Sequence, residues 1–591
     1  MQRLKDKMYQ FLGMDLPKRT LPLRFSFPEV SGRFKAANAN SYELVRDLEE
    51  AKNIPPEYFG LLLKELKYIN RCKMKPRQRL RLAREVMKLY YPMAMAQLAK
   101  LAQNGGIPEA EDHKRTLDSL VDIAQIMIVS YQIVFAKYYS GGNFNYARAR
   151  NSVRECASRI LELLVLKQHA KSLRYQLLSD QDWQLANTIF HVMNCYEDVG
   201  LPLPTLNNEL KVGGRRKDAC LRDQYALLQT VSKFDMLRWP THLHWVIGSY
   251  FHSIENAVQI KPDDGSAGLG RNELISYCYD TVPARTKRMG TPPGAAVILS
   301  FGGLTEAIRK DCMGLLSAKK NNDVSAIPPR FALLPETEHF VISEQLVRGL
   351  GNAGDDNIVE KEHQLDELRI FVGFTEVFGF LHHKQGRYGS EDRLADMLAK
   401  RSALIAEDAA ATQKSVWTLL FKNEEMIRLS TQETSFTTAM GIGSLLAYGV
   451  GDEINRPSFA VVSRIFRPTQ QVVIIDIQRI ADYAEAVAIS LNMTEHAATN
   501  KASPALLVYD QLRLGGWGLM FPPMDILLGV DQLAVSRNKQ IFGVNLKNMC
   551  NATDDFYLFS SSLTSEQLGI DGRPAYAVPP AETVEAPRRG W

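Results

Sequence analysis

The sequence predicts an α+β multidomain protein: a helical bundle in the N-terminal half, followed by one or more small β-barrels at the C-terminus. Three observations carry that expectation. The chain has 591 residues, too many for one core when domains run to roughly 150 residues. Between 41 and 205, long runs of helical period are broken only sparsely by Pro and Gly. After Leu368, short runs rich in Val, Ile, Tyr and Phe recur at roughly ten-residue spacing between turn residues, which is the rhythm of a small barrel. Hydrophobic residues make up 45% and charged residues 23%. That balance excludes a wholly disordered chain, a collagen and a polytopic membrane protein.

Each element follows from local chemistry. Residues 1–40 read as an irregular segment, with Phe25, Phe27 and Phe34 needing cover. In the bundle, 41–205, Ser41 is placed to cap a helix and Pro55-Pro56 to start the next. Asn104-Gly105-Gly106 and Gly141-Gly142 are stops. The most membrane-like stretch runs from Ile123 to Ala136. It is shorter than the roughly 20 apolar residues a span needs, so it reads as a buried bundle helix and not a transmembrane segment. The N-terminus lacks the apolar run of a signal peptide. No repeat of solenoid period recurs in phase.

A mixed helical and strand domain is expected over 206–365, with FALL (331–334) read as strand-like. A barrel with a helical insertion is expected over 366–495, and a second β-rich domain over 496–570. The tail, 571–591, carries Pro574, Pro579, Pro580 and Pro587 and reads as disordered.

Chemistry-bearing residues are sparse. The seven cysteines form no CxxC pair, so neither a zinc ribbon nor a redox motif is supported, and a reducing compartment fits them. His242, His244 and His252 lack the spacing and the companion ligands of a metal site and read as packing or capping residues. The Gly-rich run 265–270 has no following GK[ST] and reads as a loop. No nucleophile-plus-base spacing appears, so no catalytic residue is assigned and no enzyme activity is expected.

One electrostatic feature stands out. Between Lys64 and Lys88 there are ten Lys or Arg against two acids, in a chain whose net charge is only +5. Arg71, Lys73, Lys75, Arg77, Arg79, Arg81 and Arg84 are the candidate partner-binding residues, because a basic surface steers acidic partners. A solvated helix face, with Leu66, Leu80, Leu82 and Val86 turned inward, is the plain alternative.

Four segments carry a resemblance. These are RDQYALLQTVSKFDMLRWP (222–240), RIFVGFTEVFGFLHH (369–383), GSLLAYGV (443–450) and FAVVSRIFRPTQQVVIIDIQRI (459–480). They resemble large proteobacterial proteins that carry a PilZ-type domain after a long helical N-terminal region. The resemblance implies PilZ-like barrels, cyclic di-GMP as ligand, and an RxxxR arm with a [DN]xSxxG strand-turn to bind it. Arginine suits that task because it clamps phosphate bidentately and stacks on guanine. Carried onto this sequence, the resemblance gives Arg428, Glu433, Ser435, Arg464 and Arg467 as candidate nucleotide contacts. The sequence departs from the motif: Glu433 replaces Asp/Asn, Thr438 replaces Gly, and no RxxxR precedes them. A second segment, Asp510 to Gly515, keeps the ends of the motif but has Leu512 at the Ser position.

The functional expectation is a cytoplasmic, non-enzymatic signalling or adaptor protein linked to cyclic-di-GMP-controlled motility, adhesion or surface growth. It would act through protein partners, with a degenerate nucleotide site. The alternative is a nucleic-acid-binding protein using the basic helices 64–88, which the small net charge disfavours.

Overall fold

The computed structural model describes Met8 and residues 21–23, 32–33, 55–103, 105–140, 142–201, 220–254, 257–263, 265, 268–289, 295–321, 323–351, 367–384, 417–423, 426–434, 437, 439–450, 457–491, 503–524, 530–537 and 540–569. The expectations for Ser41, for the linker near 201–217, for the insertion near 391–410, for Ser435 and for the tail lie outside those residues. The chain divides into two compact units, Met1–Ile358 and Val359–Trp591.

The first unit is helical. Its long elements are α1 (Pro55–Arg71), α2 (Pro76–Ala102), α3 (Glu111–Ser140), α4 (Asn143–Ser172) and α5 (Asp180–Cys195), then α6 (Leu221–Lys233) and α7 (Thr241–Ser253). Prolines open α1 and α2, where a missing N–H costs nothing. Ser179 and Asp182 form a capping box at the start of α5. The apolar stretch from Ile123 lies inside α3, with Ile123, Met127, Ile128, Tyr131, Val134 and Phe135 buried. By length and composition α3 passes the test for a membrane span, but this face is used for packing.

Helix α4 is buried on nearly every side, so it carries charges that must be matched internally. Glu155 takes Arg84, Arg159 pairs with Glu162, and Lys167 reaches Asp182 at 2.6 Å.

Three antiparallel strands, β3 (Gln259–Pro262), β4 (Glu273–Tyr277) and β5 (Ala296–Ser300), lie in the order β3-β5-β4. They follow a parallel pair of two-residue strands, β1 (Gly32–Arg33) and β2 (Cys72–Lys73). The sheet is held to the bundle through Asn187 of α5. Its amide donates to the carbonyls of Asp280 at 2.9 Å and Val282 at 3.1 Å, and its oxygen accepts from Tyr225 at 2.7 Å. Helices α8 (Gly302–Lys320) and α9 (His339–Gly351) complete the unit. The segment expected to be a strand at 331–334 is instead a 3-10 turn, Phe331–Leu333. Phe331 is buried there against the rings of Tyr250 and His339, away from any ladder.

The second unit holds two closed six-stranded barrels. β6 (Glu367–Val372), β7 (Trp417–Lys422), β8 (Met426–Gln432), β9 (Leu445–Val450), β10 (Ser458–Phe466) and β11 (Val472–Ala481) close in the order β10-β11-β8-β7-β6-β9. β12 (Tyr483–Ser490), β13 (Ser503–Asp510), β14 (Gly516–Phe521), β15 (Gln532–Arg537), β16 (Gln540–Ala552) and β17 (Tyr557–Gly569) close in the order β12-β13-β14-β17-β16-β15. All the pairings are antiparallel, and closure leaves neither barrel an open edge.

The sequence reading drew the first barrel to 495. The structure instead places the change at Asp482, because β12 pairs with β13 and β15 of the second barrel. Helix α10 (Phe374–Lys384) packs between the barrels. Its Phe374, Val377, Phe378 and Leu381 share one core with Leu445 and Phe459 of the first barrel and Ala484 and Leu506 of the second. At Gly443 (φ +88°) a Cβ would lie 2.9 Å from the Thr553 Cβ, so the barrels approach where glycine alone fits without strain.

Candidate functional site

Antiparallel register brings the predicted arginines of the first barrel together but occupies them. Arg428 on β8 and Arg464 on β10 both lie directly opposite Asp476 on β11, between them. Arg428 holds the carboxylate bidentately, at 2.7 and 3.0 Å, and Arg464 approaches it to 4.0 Å. Arg467, 1% exposed at its side chain, holds Glu433 at 2.7 Å through both nitrogens. The expectation that Arg428, Glu433, Arg464 and Arg467 face a nucleotide is therefore corrected: their charges are spent inside the barrel wall. A phosphate would have to displace buried carboxylates, and breaking such pairs costs about 3–5 kcal/mol.

The basic segment is corrected at two positions. Arg79 is 3% exposed. It donates to the carbonyls of Ile69 at 3.0 Å and Cys72 at 2.7 Å and to Asn70 Oδ1 at 3.1 Å, so it satisfies the end of α1 rather than a partner. Burial lowers its pKa from the usual guanidinium range. Arg84 is bound to the buried Glu155. Arg71, Lys73, Lys75, Arg77 and Arg81 are exposed.

His244 is buried with Nε2 3.0 Å from the Trp239 carbonyl, and desolvation pushes its pKa down to about 3. His242 lies 3.5 Å from Glu338.

Two further arginines, Arg479 and Arg513, lie beside the seam between the barrels and both act on the phenol of Tyr448. β13 ends at Asp510, whose carboxylate accepts from the backbone N–H of Leu512 at 2.9 Å and of Arg513 at 2.8 Å. Gly515 (φ +67°) and Gly516 (φ +136°) then turn the chain into β14, in backbone regions that L side chains rarely adopt. The turn presents Arg513, which touches Asp510 at 3.4 Å. Arg479, near the end of β11, pairs with Asp482. Both guanidiniums lie near the phenol of Tyr448 on β9. Burial pushes the Tyr448 pKa up, while Arg479 and Arg513 pull it down. Their side chains are 30% and 27% exposed. The Arg479–Asp482 pair is exposed on both sides and contributes about 1 kcal/mol or less, whereas Asp510 is buried and is held mainly by the N–H groups of its own turn. Arg537 of β15 forms a third arginine contact on the second barrel, to Glu485 at 2.7 Å. Beside it the rings of Tyr483, Tyr509 and Trp517 line up across β12, β13 and β14.

The sequence reading had marked Asp510 and Gly515 as the ends of a motif but not Arg479 or Arg513. Arg513 lay inside that motif, so the signal was present for one of the two. Arg479 is brought near only by barrel closure.

The chain thus carries a helical unit followed in sequence by two closed barrels, with Arg513 on a glycine turn and Arg479 near the end of β11. Residues 49–229 match the family described as the N-terminal domain of the cyclic-di-GMP receptor FimW. The helical unit from α1 into α6 is thus similar to that domain. Neither a curated protein nor a solved structure matches the chain significantly.

Proposed function

We propose that this protein is a non-enzymatic cytoplasmic receptor for cyclic di-GMP, and that its second barrel, PilZ-like, takes the nucleotide at the seam carrying Arg479 and Arg513. The observation that carries the reading is the Asp510–Gly516 turn, with its N–H groups already on a carboxylate and Arg513 partly exposed on it, together with the partly exposed Arg479 near the end of β11. The match of 49–229 to the N-terminal domain of a cyclic-di-GMP receptor supports the ligand class.

The chemistry is economical. Cyclic di-GMP carries two phosphates, so two arginines released from shallow pairs with Asp482 and Asp510 can each take one. The freed Asp482 is open to solvent, and the buried Asp510 keeps its bonds from the backbone N–H groups of Leu512 and Arg513. The glycines let backbone N–H groups approach. Binding would then fix the barrels against each other. Arg71, Lys73, Lys75, Arg77 and Arg81 form an exposed rim on the helical unit for an acidic partner. The output in this reading is control of motility, adhesion or surface growth through that partner.

Calorimetry with cyclic di-GMP tests the proposal. Saturable binding below tens of micromolar is expected, weakened about tenfold or more by Arg479→Ala or Arg513→Ala. Arg464→Ala, in the first barrel's wall, should leave affinity unchanged. Absence of heat at tens of micromolar overturns the receptor reading, and equal loss from Arg464→Ala moves the site to the first barrel.

A further inference from the structure

Helix α8 leaves one face uncovered. Met313 is 72% exposed and Leu316 54%, and Val324, in the adjoining 3-10 turn Val324–Ala326, is 72% exposed. These are among the most exposed large apolar residues described. Isolated exposed apolar residues are ordinary, but three gathered on one helix and its neighbouring turn are not.

The same face carries charge of one sign. Glu306, Lys310, Met313, Leu316 and Lys320 follow one another at three- and four-residue steps, and Arg309 lies three residues after Glu306 and four before Met313, so the six share a stripe. Three cations stand there against one acid. Among the described residues no ion pair engages Arg309, Lys310 or Lys320, whereas their neighbour Lys319 is held by Glu336 at 2.6 Å. The stripe from Glu306 to Lys320 is about 21 Å long at 1.5 Å per residue.

A third observation points to an occupant. A shallow depression of about 650 Å³ opens at the start of the stripe, lined by Gly302, Thr305, Glu306, Arg309, Lys310 and Met313. It lies beside Asn272 at the start of β4, and its wall sets aliphatic and cationic groups around the single carboxylate of Glu306. A flat lipid surface would leave that hollow unfilled. The side of an amphipathic helix fills it with one anchor side chain and lays the next anchors on Met313 and Leu316.

We infer that this face of α8 is a docking surface for an acidic amphipathic helix of a protein partner. The partner's aliphatic anchors pack on Met313, Leu316 and Val324, and its carboxylates meet Arg309, Lys310 and Lys320. Methionine suits the role, since its flexible thioether adapts to different anchors. The surface lies outside residues 49–229 and uses none of the seam residues, so it stands or falls independently of the nucleotide proposal.

The test uses the full chain and a fluorescein-labelled synthetic peptide of about 16 residues, long enough to span the stripe as a helix. Leu occupies one face of the peptide and Glu the other. Fluorescence anisotropy should show saturable binding. Met313→Asp with Leu316→Asp, and separately Arg309→Glu with Lys310→Glu, should each weaken it about tenfold or more, while Lys67→Glu on α1 leaves it unchanged. Thermal melts establish that the variants stay folded. If the Asp pair aggregates, Met313→Ser with Leu316→Ser gives the same reading. The inference is overturned by absence of saturation, by equal binding of a scrambled, non-amphipathic peptide of the same composition, or by insensitivity to both pairs of substitutions. Tighter binding to phosphatidylglycerol vesicles than to the peptide, lost in the same variants, also overturns it in favour of a membrane surface.

Discussion

Asp555 shows how one half-buried side chain joins several parts of the second unit. It lies in the turn between β16 and β17, and its carboxylate accepts from the backbone N–H of Phe374 at the start of α10, at 3.0 and 3.1 Å. It also accepts from the N–H of Leu445 on β9 at 2.8 Å. The two N–H groups belong to the helix and to the first barrel, while the carboxylate belongs to the second. Burial pushes the Asp555 pKa up, and the bonds from Leu445 and Phe374 pull it down. Alanine here removes the acceptor and takes the partner from two donors in a partly buried seam. An unmet buried donor costs about 1–3 kcal/mol, so Asp555→Ala should destabilise the second unit by about 2–4 kcal/mol, read from the denaturant midpoint at constant slope. Arg467 and Glu433 form a similar fixed point within the first barrel. Sequence alone gave Arg467 the appearance of a ligand contact because an arginine's partner is invisible until the strands are in register.

The elements differ in how far the sequence betrays them. Helices α1 to α5 were legible because their apolar period, prolines and glycine stops are local signals, and the barrel strands were legible from alternation. The transfer of β12 to the second barrel was not. A strand's own pattern says which face is buried but not which neighbour it pairs with, and the same apolar alternation serves either barrel. The site was less legible still. Asp510 and Gly515 stand out as motif ends, whereas Arg479 and Arg513 come to act on the same tyrosine, Tyr448, only after the barrels close. The junction of α5 and α6 with the β3–β5 sheet was equally hidden. There the polar groups of Asn187, Tyr225, Ser276 and His191 satisfy one another out of contact with water. Desolvation pushes the His191 pKa down to about 3, and that of His244 in α7 likewise. Both are therefore neutral in the folded unit but protonate near 6.5 once unfolded. A depressed folded pKa means that the unfolded state binds more protons, so stability is complete above about 6.5 and is lost as pH falls toward 3. Each histidine should make the helical unit less stable by roughly 1 kcal/mol per pH unit over that window. His191→Gln should flatten the slope of melting temperature against pH between 6.5 and 4, and an unchanged slope would show that other groups dominate.

At the scale of the whole molecule, two units with separate cores unfold as two cooperative bodies unless something couples them. The proposed nucleotide site lies wholly within the second unit, between its barrels, and this gives ligand binding a distinctive signature. A ligand that binds only the folded state stabilises by RT ln(1 + [L]/Kd), about 2.7 kcal/mol at a hundredfold excess over Kd. Cyclic di-GMP at that excess should move the melting transition of the barrel unit upward and leave that of the helical unit in place, as resolved by differential scanning calorimetry of the full chain. Arg479→Ala and Arg513→Ala should abolish the shift. The two transitions are told apart by the Asp555→Ala and His191→Gln variants, each of which perturbs a different unit. A rise of the helical transition alone would relocate the ligand to the region that resembles the receptor's N-terminal domain. A rise of both together would mean that binding couples the units, so that the nucleotide at the seam is felt on the α8 face and along the basic rim where partners would dock.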